Sequence, residues 1–147
     1  MKIVAKRLLA LALVLLALSV IGAGVQHELE TRATRKRQSN YELTLRSYQQ
    51  VLKPGMTRKE VESYLHQRSG GFGQMCCVGA RELAPRSSWD DLVKIGEEKA
   101  PWYCGANNVY IAFEFADHEQ RHDYVIRDND LDILRAITIY HQLEDCL

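Results

Sequence analysis

His118 and His122 stand four apart in "DHEQRH", with Glu119 beside the first, a spacing that puts two imidazoles on one helix face toward a zinc ion. The segment falls between two expected strands and no third ligand is indicated, so a solvated turn is expected and no metal or cofactor is assigned. Asp128, Asp130 and Asp132 in "DNDLD" open like a calcium loop, whose alternate carboxylates converge on the ion. Ile133 stands where the loop needs glycine and Ile139 where it needs the closing Glu, which leaves an acidic hairpin turn. Cys104 in "PWYCG" could act as a nucleophile with a base such as His141 beside it, but no sequence neighbour activates the thiol. The expectation is a non-catalytic chain, with a small exported enzyme using Cys104 or the histidines as the alternative.

Cys76, Cys77, Cys104 and Cys146 make an even count, which in an exported chain points to two disulfides; buried free thiols are the reading for a reducing compartment. A bridge between the neighbours Cys76 and Cys77 closes a strained ring, so the expected pairings send each of them to Cys104 or Cys146. Trp89, Trp102 and Tyr103 lie on a long connection with Pro101. Aromatic rings on loops are enriched at protein interfaces, which makes these three candidates for a partner surface, against the alternative that they fold onto the sheet.

The elements that position these residues begin after an apolar front end. Residues 1–7 carry Lys2, Lys6 and Arg7, and Leu8 to Val25 then runs 18 residues with no charge and a single hydroxyl. That is the minimum length for a bilayer-spanning helix, and no polar face marks it as a core helix. The segment is expected as an uncleaved transmembrane signal anchor, with a signal peptide cut near Gly22-Ala23-Gly24 as the alternative. Lys6 and Arg7 abut the run while Arg32 lies about two helical turns beyond it, so the N-terminus should stay inside and the domain be exported. Residues 26–40, including "RATRKR", read as a polar linker.

A formal net charge of zero conceals a division at Tyr41. Residues 1–40 hold seven Lys/Arg and two Asp/Glu, and residues 41–147 hold twelve and seventeen. A domain carrying five excess negative charges has no electrostatic footprint for a phosphate backbone, which argues against nucleic-acid binding.

Within 41–147, Tyr41, Leu45, Tyr48 and Leu52 share one helix face. Pro54-Gly55 stops that helix. Thr57 with Glu60 forms a capping box for the next helix, and Met56 with Val61 a hydrophobic staple, so the segment Pro54, Gly55, Met56, Thr57, Glu60 and Val61 sets a structural corner between two helices. Strands are expected in "FGQMCCV" (72–78), in "VYIAFEF" (109–115), whose alternation is the strongest strand signal present, in "DYVIR" (123–127) and in "ILRAITIYH" (133–141). Residues 80–108 read mostly as loop, with one short strand at Leu92 to Ile95. The predicted fold is a two-layer α+β domain, two helices on a three- or four-stranded antiparallel sheet, after an N-terminal transmembrane helix.

"LKPGMTRKEVESYL" followed, after a variable middle, by a Phe-rich strand and a last hairpin resembles the BamE (SmpA/OmlA) type of small envelope domain, whose fold is shared with the β-lactamase-inhibitor protein. The similarity covers roughly Tyr41 to Tyr140. It implies an exported, non-enzymatic domain that binds other proteins, in the best known members during outer-membrane barrel assembly. This chain differs in having no lipid-acceptor cysteine directly after its apolar run, its first being Cys76. The expected setting is therefore a single pass in the inner (cytoplasmic) membrane through residues 8–25, with the domain in the periplasm and an unidentified envelope protein as partner. A secreted or periplasmic form after cleavage, and an anchored domain that associates with itself, are the alternatives.

Overall fold

The computed structural model describes residues 2–69, 71–76, 88–118 and 129–147, with backbone alone for 2–18 and 20. Its elements in chain order are α1 (Lys2–Val51), α2 (Arg58–Ser69), β1 (Gly73–Met75), β2 (Asp90–Glu98), β3 (Ala106–Ala116) and β4 (Ile133–Glu144). The chain divides into two compact units, Met1–Asn40 and Tyr41–Leu147.

In the first unit, residues 26–40, read from sequence as a polar linker, are helical. The reason is local pairing along the helix, which needs no buried face. Arg32 Nε lies 3.0 Å from Glu28 Oε1 one turn back, and the hydroxyls of Thr31 and Thr34 donate to the carbonyls of His27 and Glu30. No helix among the described residues is long and apolar enough to cross a membrane. The expected anchor, 8–25, falls largely on residues whose side chains lie outside that description.

The second unit has the two-layer α+β form: two helices packed on one four-stranded antiparallel sheet in the order β1-β2-β3-β4. Tyr48 and Leu52 of α1 and Val61 and Leu65 of α2 are buried with Ile111 and Phe113 of β3, so each element gives its apolar stripe to one core. Tyr48 meets Phe113 edge-on at 5.3 Å between centroids, and the Arg68 guanidinium covers the Tyr48 ring at 4.5 Å.

The corner between the helices follows capping rules. Thr57 N–H donates to Glu60 Oε2 at 2.8 Å, and Glu60 N–H reaches back to Thr57 Oγ1 at 3.4 Å. Gly55 takes a φ of 97°, a backbone region that costs a side chain strain. The corner is also tied to β4, because Gly55 N–H donates to Leu134 O and Leu134 N–H donates to Met56 O, both at 2.9 Å. Thr57 itself bridges to Ile133.

The longest departure from expectation is β2. Residues 90–98 form one nine-residue strand, paired to β3 from Asp91↔Phe113 to Glu98↔Asn107, and not a short strand within a loop. Asp90, Asp91, Lys94, Glu97 and Glu98 conceal it from a pattern reading, and the register shifts between Lys94 and Gly96. The expected strand 123–127 lies outside the described residues, as do Cys77, Val78 and His122.

Candidate functional site

The two ends of the β3–β4 pair meet at Ala106↔Glu144, so the residues just before β3 and just after β4 come together. Cys104 and Cys146 are therefore 3.9 Å apart at Cα and form a disulfide. This corrects the expected pairing of Cys76 and Cys77 with these two cysteines: β-ladder register selects the partners. Cys76 is disulfide-bonded as well.

Around this bridge the backbone is closely tied. Cys104 N–H donates to Pro101 O at 3.0 Å, Gly105 N–H to Glu144 O at 3.0 Å, and Leu147 N–H to Tyr103 O at 2.8 Å. On this clamped turn stand Trp102, 91% exposed, and Tyr103, 42% exposed, their rings edge-to-face at 5.8 Å. Leu143 and Leu147, in the chain's last segment, are exposed as well. Two large rings left in water on a turn tied by three backbone bonds and a disulfide make a pre-organised apolar knob. Trp89, the third aromatic candidate, is half-buried, and its carbonyl accepts a hydrogen bond from Arg58.

The second cluster was not visible as a site in the sequence. Arg58, the first residue of α2, is 1% exposed, which "TRKE" at a helix start does not suggest. Its Nη1 contacts Asp91 Oδ1 at 2.7 Å and Glu62 Oε1 at 3.6 Å, and its Nη2 donates to Ser88 Oγ at 3.0 Å. Its Nε stands 3.7 Å from Asp132 Oδ2, and the guanidinium lies 4.0 Å over the Phe115 ring. One side chain thus joins α2, β2, β3 and the turn before β4. Burial pushes the Asp91 carboxyl up to about 7 despite the Arg58 charge, and its Oδ2 finds no hydrogen-bond partner. Arg58 also lines a cleft of about 610 Å³ with Glu62, Phe72, Gln74, Asn129 and Asp130. A buried hub of this kind orders the fold, and within it the Ser88 hydroxyl donates to Asp132 Oδ2.

Among the remaining candidates the fold brings His118 to Asp132, with Nδ1 3.6 Å from Oδ1. Cys104 is bonded to Cys146 and offers no thiolate, while His141 Nδ1 lies 3.7 Å from Glu98 Oε2 on the neighbouring part of the sheet. Asp132 is buried, with Oδ2 accepting from Asn129 N–H at 2.9 Å and from the Ser88 hydroxyl, so it serves the turn rather than a calcium loop. Asp128 and His122 are outside the described residues. The corner residues 54–61 hold helices and β4 together.

No family model matches the chain, and no curated protein and no solved structure matches it either.

Proposed function

We propose that this chain is a membrane-anchored, extracytoplasmic, non-catalytic domain that binds another protein of the cell envelope, with Trp102 and Tyr103 as the contact. The single observation that carries the proposal is the exposed aromatic pair fixed beside the Cys104–Cys146 disulfide. Aromatic side chains of this kind dominate binding energy when a partner desolvates them, and prior ordering of the turn lowers the entropy cost of association. The disulfide supports an oxidising compartment, as export of residues 41–147 requires. Support for the anchor comes from the uncharged composition of residues 8–25 and the basic residues before them.

A BamE-like role in envelope assembly or maintenance belongs to the same proposal and rests on the helix-corner residues from Leu52 to Leu65. Acidic residues end the strands that flank the knob, Glu98 in β2 and Glu144 in β4, and Asp145 follows, while Glu97 pairs with Lys94 and Lys99 precedes the turn. The fitting partner surface is an apolar socket with basic side chains at its rim.

The experiment is an intact mass of the protein extracted from native membranes and alkylated without reduction. The proposal expects the anchor still attached and no alkylated thiol. Four alkylated cysteines would put the domain in a reducing compartment and overturn it.

A further inference from the structure

We propose that Asp117, His118 and Asp132 form a binding site for a divalent transition-metal ion, with zinc the cation that best fits the donor set. The site follows from strand register. β3 and β4 end their ladder at Ala116↔Ile133, so the residues one step beyond, Asp117 and Asp132, face each other, and His118 follows. One donor atom from each of the three lies within 4.8 Å of the others.

Two observations beyond proximity point to a ligand. His118 Nδ1 is itself buried and makes no hydrogen bond, yet it stands 3.6 Å from Asp132 Oδ1. That separation is long for a hydrogen bond but close to the edge of a tetrahedron whose metal bonds are about 2.0 to 2.2 Å, which is on the order of 3.4 Å. The second observation is that the two oxygens of Asp132 are used differently. Oδ2 accepts from Asn129 N–H at 2.9 Å and from the Ser88 hydroxyl, with Arg58 Nε at 3.7 Å. Among the described residues, Oδ1 accepts one hydrogen bond, from His118 N–H at 3.4 Å. Such outer hydrogen bonds hold a carboxylate in place and leave its free oxygen for a metal.

The donor set decides the class of ion. One imidazole nitrogen and two carboxylates suit zinc and its borderline neighbours better than calcium or magnesium, which take oxygen ligands alone. Both carboxylates are buried, and a bound dication would offset their two negative charges. Three protein ligands leave one tetrahedral position for water or for a donor from elsewhere. The ion would tie the end of β3 to the start of β4 beside the Arg58 hub.

Titration of the full-length, detergent-solubilised protein with zinc chloride, followed by calorimetry, tests the site. The expectation is one zinc per chain, with affinity reduced at least tenfold in His118→Ala and in Asp117→Asn, and a tetrahedral cobalt spectrum that His118→Ala removes. Metal-free thermal unfolding and thiol counts of each variant are compared with the parent, and His118→Gln replaces any variant that fails to fold. No stoichiometric zinc binding would overturn the site, and so would zinc binding that both substitutions leave unchanged.

Discussion

Arg58 Nη1 and Asp91 Oδ1 are 2.7 Å apart, and both side chains are almost completely removed from solvent. A charge pair in that position contributes little over two well-packed apolar groups, yet breaking it leaves the buried Asp91 and Ser88 side chains and the Trp89 carbonyl without their Arg58 donor. Arg58→Ala should therefore destabilise residues 41–147 by about 3–5 kcal/mol. Arg58→Lys should recover only part, because an ammonium cannot serve Asp91, Ser88 and the Trp89 carbonyl from one plane. Urea unfolding of the three proteins measures both effects, and a loss under about 1 kcal/mol in Arg58→Ala would refute the hub.

The same pair predicts a pH dependence. Asp91 ionises near its usual value of 3.8 in the unfolded chain and at about 7 in the fold, so the folded state holds the proton more tightly. Stability from this group is present in full below the unfolded value and is lost as pH rises toward and through 7. Wild type should lose stability relative to Asp91→Asn between about pH 4 and 8, by an amount on the order of a few kcal/mol. Parallel stability curves for the two proteins across that range would contradict the assignment.

Gly96 fills a different role. A Cβ there would lie 2.6 Å from the Tyr41 hydroxyl oxygen and 2.7 Å from its Cε1, so the ring lies directly on the β2 backbone. Gly96→Ala should cost about 1–3 kcal/mol by overpacking, and Tyr41→Ala placed in the same protein should relieve part of that cost. Additive losses in the double-mutant cycle would mean that the two residues do not meet.

Cys104 and Cys146 close a chain segment with a sequence separation of 42. Chain entropy for a loop of that size predicts about 4 kcal/mol, and replacing both cysteines by serine should remove roughly 2–4 kcal/mol. The check is thermal unfolding of the double variant, with midpoint and enthalpy both read. An unchanged midpoint would show that the disulfide does not constrain the turn carrying Trp102.

What sequence reading captured is mostly local. Thr57 and Glu60 satisfy each other within one turn, and the alternation of Val109, Ile111, Phe113 and Phe115 needs only a strand with one buried face. What it missed depends on distant parts of the chain. β2 carries acids at Asp90 and Asp91 that are buried because Phe115 N–H and Arg58 receive them, and no pattern within 90–98 announces those partners. The disulfide pairing depended on the β3–β4 register, and the burial of Arg58 on a strand 33 residues away. In residues 26–40 one of the charges of the expected linker, Arg32, pairs with Glu28 at one-turn spacing within the helix.

Insertion of Trp102 into a partner protein is open to a direct test. The direct measurement places a photo-crosslinking amino acid at Lys99, exposed and three residues before Trp102, in cells that export the full chain, with and without Trp102→Ala. Stability of the purified Trp102→Ala protein should stay within about 0.5 kcal/mol of the parent, because the ring is in solvent. One discrete adduct to another envelope protein is expected, and Trp102→Ala should abolish it. An adduct that forms equally well without the indole, or no adduct at all, would contradict it.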